Sequence, residues 1–551
     1  MNEWLVCVKD NNPVLHKNGE CRFVNDCLMY ENETDFIVLD GLILNKKELF
    51  EKYKTDSLLE LVLKMRQNKP DDFFNAFRGP FTGMFFDKKS CQSVVFTNQT
   101  GESAVFYYIS EKIQIFSSNF TILLDFLKEQ KIPVSYDEKA AHWMLTFGYL
   151  IDSTTFAKEI KRLCAGKALY LNDGKWTEKR YHSFKKDTIQ MSDDEAIETV
   201  DRLFKQAVRR CFDKDLEYGF TQHLVDMSAG LDSRMVNCVA KKLGYSNFTN
   251  ISYSQTGSEE ELLAKAAAKH FGNKFVFEPL DDHKFVYDIK ELLRGNYGTY
   301  LYTGITGGAR LLSKIDFSQY GAEQTGLMGD GVIGGSYIKH DIFDENVESL
   351  RLAHILPLRY NPNSENHDNG VYGLYTRGFI GIMASWFNRK QFTFALSPFL
   401  DVDLIEFCFS LPADMRRQHA LYWKWVEKCY PEALEVPTSR HREPVNASEK
   451  TIDLASRVFH KGLRVMRKTL FKLGCVKSRS RADASMNPYE YWYDTDARMR
   501  AFLNDYYNEK ISLITENKVL AKEVETLFNS RIVLEKLMAL TVLGMADEVL
   551  K

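Results

Sequence analysis

Nowhere in the chain do about 18 uncharged apolar residues run together, so no segment is written as a membrane-spanning helix. The ten cysteines (7, 21, 27, 91, 164, 211, 238, 408, 429 and 475) form no Cys-x-x-Cys pair and no zinc-ligand spacing. In a chain of 551 residues that scatter argues against a disulfide scaffold and for reduced thiols in a cytosol. Excess charge is also lacking. The 72 Lys and Arg against 75 Asp and Glu leave a net charge of -3, which excludes a global field toward nucleic acid or an anionic membrane. Internal repeats and low-complexity tracts are absent. The first ten residues carry Glu3 where a signal peptide has basic residues and contain no sustained apolar core, so a cytoplasmic protein is expected.

What is there suits a packed globular protein of more than one domain: 44% hydrophobic and 13% aromatic residues, with ample length to bury a core. Residues 1–130 alternate short β-rich runs with turns: Phe36–Leu39, Leu42–Leu44, Gly83–Phe86, Ser93–Phe96, Ala104–Tyr108 and Ile113–Phe116, interrupted by a helical stretch from Ser57 to Arg66. From about Gln222 the texture becomes strand–helix alternation, the signature of βαβ units and a parallel sheet. The expected division is residues 1–190 and 191–551, the second part continuing through helices to Lys551, with the polar stretch Asn361–Asn369 as a loop.

Chemistry is first suggested where Leu224-Val-Asp-Met runs into Ser228-Ala-Gly-Leu-Asp-Ser233 and then into an amphipathic helix ending at Gly244. A strand, a small-residue turn and a helix start make an anion site, because the first N–H groups of a helix are unpaired and its dipole favours negative charge there. The structural alternative is a tight turn with Asp232 or Ser233 capping the helix. No Gly-Lys-Ser/Thr follows, which disfavours a P-loop NTPase. The second strand, ending Ile251-Ser252-Tyr253, precedes a capping-box pattern with Ser258 at the N-cap and Glu261 three residues on. A literal GxGxxG at 329–334 lies deep in the domain and places Asp330 where pyrophosphate oxygens should approach, which a bridging cation would reconcile.

The Ser228–Ser233 hexapeptide resembles the pyrophosphate loop of ATP pyrophosphatases, and its surroundings resemble the asparagine synthetase family along the whole chain. The segment Gly326–Gly335 is similar to that family's second signature, with Gly326, Asp330, Gly334 and Gly335 matching while Leu327 and Gly331 replace glutamates. Ser397-Pro-Phe-Leu-Asp401 and Arg440-His-Arg-Glu443 are further matches. The resemblance implies a C-terminal domain of the adenine nucleotide alpha-hydrolase type with a helical extension, binding ATP and Mg2+ to form an acyl-adenylate. Ser228, Gly230, Asp232, Ser233 and Gly326 would hold the phosphates, Ser252 and Tyr253 the adenine side, Asp232 and Asp330 the metal, and Arg442 the developing phosphate charge.

Asp40–Asn45, Thr55–Ser57, Phe77–Phe81, Gly101–Tyr108, Phe116–Ser118 and Ile160–Gly166 look like the same family's glutaminase domain, an Ntn-hydrolase αββα sandwich. Working members carry a cysteine directly after the initiator Met; position 2 here is Asn, Asn98 stands where Asp is usual, and Cys7 sits in an apolar run. The implied activity is an ATP-dependent amide-forming ligase without glutaminase activity, joining a small-molecule or peptide carboxylate to ammonia or an amine. A peptide macrolactam synthetase and a catalytically silent scaffold are the alternatives. No nucleic-acid partner is expected, and a homodimer is compatible with the family. From Arg457 to Arg481 nine Lys or Arg occur with no acid, beside apolar residues at helical spacing. That pattern reads either as a surface helix packed on the domain or as a dock for an anionic partner or membrane.

Overall fold

The computed structural model describes residues 3–10, 12–18, 24–184, 186–304, 307–337, 350–360, 370–438 and 481–551, with a few single positions between 465 and 475. Two antiparallel sheets form the N-terminal part. One has the order β2-β1-β8-β7-β9 and the other β11-β10-β6-β5-β4-β3. Their strands are β1 (Trp4–Lys9), β2 (Asn12–Asn18), β3 (Leu28–Glu31), β4 (Asp35–Gly41), β5 (Phe81–Asp87), β6 (Gln92–Thr97), β7 (Val105–Ile109), β8 (Gln114–Ser117), β9 (Lys161–Leu163), β10 (Lys167–Asn172) and β11 (Lys175–Arg180).

Period-two alternation assigns the layers. Trp4, Val6 and Val8 of β1 join Val38, Met84, Val95 and Phe116 between the sheets. Leu5 and Cys7 point the other way, under the helices α3 (Phe120–Glu129) and α4 (Glu138–Phe147). Ile37, Leu39 and Phe85 meet α1 (Lys46–Tyr53) and α2 (Leu58–Asn68) across the far sheet. The result is the expected αββα sandwich. Leu42–Leu44, read as a strand, is instead the buried connection between β4 and α1.

Beyond α5 (Asp193–Glu217) the sheet is wholly parallel, in the order β14-β13-β12-β15-β16. Its strands are β12 (Gln222–Asp226), β13 (Phe248–Ser254), β14 (Lys274–Pro279), β15 (Tyr320–Gln324) and β16 (Ala395–Leu396), with α6 (Asp232–Lys242) and α7 (Glu259–His270) as crossovers. Both faces are covered. Val225 and Phe248 pack with α5 and α6, while Leu224, Ile251 and Tyr253 belong to a core that also contains the helix Val533–Leu550 and residues of α3 and α4. The two halves of the chain therefore share one core. From β12 the chain moves outward to β13 and β14, then returns to the other side of β12 as β15. The reversal lies between β12 and β15, and ligands of such sheets bind outside the carboxyl ends of the strands at that point. Among the described residues no helix is long and apolar enough to cross a membrane.

Candidate nucleotide site at the sheet reversal

The loop after β12 and the loop after β15 are pressed together. A Cβ on Gly326 would lie 2.4 Å from the Ser233 backbone nitrogen, and one on Gly329 would lie 2.6 Å from the Asp232 carboxyl carbon. Glycine is needed at 326 because its backbone meets the backbone of the α6 start, and at 329 a side chain would displace the Asp232 carboxyl. The Asp330 N–H donates to Asp232 Oδ2 at 2.9 Å, and the Tyr422 hydroxyl donates to Asp232 Oδ1 at 2.8 Å. Asp330 in turn accepts from Ser336 Oγ at 3.1 Å. Asp232 is the first residue of α6 and does not cap it; the N-cap is Leu231, with no side-chain bond. Ser233 does not cap it either, since its hydroxyl accepts the Ser228 N–H at 3.0 Å and lies 2.9 Å from Ser228 Oγ. The capping alternative is thereby corrected: both side chains are committed to tying the loops.

Three loop N–H groups already have acceptors. Ser228 gives its N–H to Ser233, Gly230 to Ser228 Oγ at 3.1 Å, and Ala229 to Glu260 Oε1 at 3.1 Å. Glu260 stands in the first turn of α7, and burial pushes its carboxyl up while the Ala229 N–H and Arg234 pull it down. A carboxylate thus sits at the loop where a phosphate oxygen would go. Ala229 and Gly230 have negative φ, so the loop accommodates the Ala229 side chain without backbone strain.

The capping box at α7 is half formed. Ser258 Oγ accepts the Glu261 N–H, but Glu261 reaches back to the Gly257 N–H at 2.7 Å. Ser252 and Tyr253 are buried, and the Tyr253 hydroxyl accepts from Arg389 at 2.8 Å. The structure therefore gathers Ser228, Gly230, Asp232, Ser233, Gly326 and Asp330 in one place and turns Tyr253 toward a separate polar cluster. Arg440, Arg442, the 361–369 stretch and nearly all of the 457–481 segment lie outside the described residues. Arg234 donates to the carbonyls of Val436 and Pro437. Ser397 caps the short turn before Asp401 and donates to Leu327 O at 2.7 Å, and Asp401 caps the next helix and pairs with Arg210 at 2.7 Å. Glu260 and Tyr422 were not legible as site residues. Glu260 lies in the acidic first turn of α7, where a local pattern gives it no distinct role, and Tyr422 is brought in by tertiary packing alone.

The donor set suits a magnesium ion. Two carboxylates on adjoining loops offer hard oxygens, and magnesium is usually held by one or two carboxylates plus phosphates. Among the described residues no group of three or more His, Cys, Asp or Glu could hold a metal unaided.

In the N-terminal part, Cys7 is buried in β1, and desolvation raises its thiol pKa. Asp40, next to the end of β4, is buried; Asn25 Nδ2 donates to its Oδ1 at 2.9 Å, and the Lys390 ammonium lies 3.8 Å from its Oδ2 as an ion pair. Asn98 donates to Glu102 at 2.9 Å, and burial pushes the Glu102 carboxyl to about 8.

Residues 24–182 match the glutamine amidotransferase domain family. Among solved structures the chain is similar to glutamine phosphoribosylpyrophosphate amidotransferase from B. subtilis, complexed with ADP and GMP, at 10% identity and a TM-score of 0.24, over 50% of this chain and 84% of that one. It is also similar to an allosteric regulatory enzyme of purine biosynthesis at 9% identity and a TM-score of 0.23, over 50% of this chain and 59% of the other. Neither likeness is close enough to define a shared fold. No curated protein matches the chain.

Proposed function

We propose that this chain is an ATP-dependent amide-forming ligase that adenylates a carboxylate and passes the acyl group to ammonia or an amine, without hydrolysing glutamine. The match of residues 24–182 to an amidotransferase domain points to amide and C–N bond chemistry. The observation that carries the finer reading is the junction at the sheet reversal, where Asp232 and Asp330 adjoin at the start of α6. Ser228, Gly230, Ser233 and Gly326 line the phosphate side of that junction, and a bound magnesium ion held by Asp232 and Asp330 would neutralise phosphate charge. The first N–H groups of α6 orient the phosphates, and entering phosphate oxygens take the Ala229 N–H from Glu260. Arg442 is assigned to the charge that develops on the departing pyrophosphate. Asn2 stands where working members of the resembled family carry the nucleophilic cysteine, and Cys7 is buried, so nitrogen comes from ammonia or a substrate amine.

A second reading, a silent scaffold that keeps the fold, is favoured by one feature: the N–H groups of Ser228, Ala229 and Gly230 are satisfied within the protein. Carboxylate-dependent exchange of labelled pyrophosphate into ATP, measured over a panel of amino acids and other carboxylic acids, separates the two. Exchange with any of them establishes adenylation, and none at all leaves the scaffold.

A further inference from the structure

Beside the nucleotide site lies a polar cluster that the phosphate chemistry does not use. Asp226 is the last residue of β12, Glu323 lies on β15 and Tyr253 on β13. Register puts them on one face of the sheet: Leu224 is opposite Glu323, Asp226 is opposite Ile251, and Tyr253 stands two residues beyond Ile251. Arg389, from the helix Ala384–Lys390, closes the cluster, donating to Glu323 at 2.6 Å, Asp226 at 3.3 Å and Tyr253 at 2.8 Å.

Arg389 supplies one positive charge for two carboxyls. Asp226 Oδ1 and Glu323 Oε2 are both buried and neither meets a donor. Buried acceptors are rarely left so, and a proton on Glu323 turned toward Asp226 supplies the missing donor. Burial and the adjacent Asp226 push Glu323 to about 8, which keeps that proton in place at neutral pH. The Glu323 and Arg389 side chains are 0% and 6% exposed, whereas that of Asp226 is 23% exposed, so Asp226 is where the cluster opens. It opens close to the site: Ser228 is two residues further on, roughly 7 Å of strand. Gly326 follows Glu323 by three residues.

Resting on the adenylation reading above, we infer that Asp226 is the base of the amine-transfer step, positioned by Arg389 and Glu323. The nitrogen lone pair of the amine bonds to the acyl carbon. The bond from that carbon to the adenylate oxygen breaks, its electron pair leaves with AMP, and one N–H proton moves to the Asp226 carboxylate. The pair thereby supplies an acid–base function beside a glycine-rich segment that carries Leu327 and Gly331 in place of acids. Asp226 touches the substrate amine; Glu323 and Arg389 act through it.

The test uses the full chain with a carboxylate that supports pyrophosphate exchange, offering either ammonium chloride or hydroxylamine at pH 7. Hydroxylamine is neutral there and its adduct is acidic enough to give the N–H proton to water, whereas ammonium must first be deprotonated and its far less acidic adduct needs a base. Asp226→Asn is expected to keep exchange and hydroxamate formation while amide formation from ammonium falls by about two to four orders of magnitude, the range for loss of a general base. Glu323→Gln, which preserves a donor toward Asp226, is expected to remove a bend near pH 8 from the amide-formation profile and leave exchange intact. The Glu323→Gln profile also decides the matter if thermal melting shows that Asp226→Asn does not fold. Undiminished amide formation in folded Asp226→Asn, a parallel loss of all three activities, or a retained bend in Glu323→Gln overturns the assignment. Wild-type protein that exchanges pyrophosphate with no carboxylate overturns the adenylation reading, and this one with it.

Discussion

Asp232 receives the backbone N–H of Asp330 at 2.9 Å across 98 residues of sequence. That single bond joins the loop after β12 to the loop after β15. Because Asp232 also accepts from Tyr422, its carboxylate is oriented before any ligand arrives.

Asp232→Asn and Asp330→Asn are expected to abolish magnesium-dependent ATP binding measured by calorimetry. Each removes a charge from a half-buried polar site and no bulk from the core. Asp232→Ala goes further and removes the acceptor of the Asp330 N–H and the Tyr422 hydroxyl, which costs on the order of 1–3 kcal/mol of stability in denaturant titration. Normal magnesium-dependent binding in both asparagine variants would sink the metal assignment.

Glu260 accepts the Ala229 N–H at 3.1 Å, a donor that the proposed phosphate site would need. Glu260→Gln should therefore bind inorganic pyrophosphate more tightly than wild type, by roughly tenfold if one charge-assisted contact is at stake. Weaker binding in the variant would mean that Glu260 assists the phosphates.

Arg210 sits between Asp401 at 2.7 Å, Asp403 at 2.8 Å and Glu48 at 2.9 Å, with only 7% of its side chain exposed. Arg210→Ala strands the buried Asp401 carboxylate and should lower unfolding free energy by about 3–5 kcal/mol, read from chemical denaturation. Arg210→Met, with Asp401→Asn added, should recover most of the loss, because the uncompensated charge is then gone.

The pH dependence of folding should show Glu102. Its carboxyl titrates at about 8 in the folded chain against an ordinary value of 4.5. Between those values the folded state holds a proton that the unfolded chain has released, so this group's contribution is fully present below 4.5 and is lost as pH rises through about 8. Glu102→Gln should flatten the stability profile across that window, and a profile identical to wild type would assign the slope elsewhere.

Incubation of the full chain with glutamine is expected to release no glutamate. Cys7 has its amine in a peptide bond, lies buried in β1, and carries a thiol that burial makes a poorer thiolate. Glutamate release that disappears in Cys7→Ala would overturn the expectation.

Local patterns in the sequence determined the elements around the site. Alternation in β1 sends Trp4, Val6 and Val8 to one layer and Leu5 and Cys7 to the next, and strand–helix alternation after Gln222 dictates a parallel sheet, because each choice depends only on neighbours a few residues away. Small residues at 228–233 and 326–335 could likewise be read as places of close approach. What approaches what was decided by the tertiary structure. That Asp232 would turn from capping α6 to bind Tyr422 and Asp330, that Glu260 would occupy the Ala229 N–H, and that Asp226, Glu323 and Arg389 would converge from positions 226, 323 and 389 depends on strand order and on the reversal between β12 and β15. Hydrophobic periodicity sets which face of an element is buried, but buried charges are placed by partners distant in sequence, since only a folded chain can supply the opposite charge or the shared proton that makes their burial tolerable.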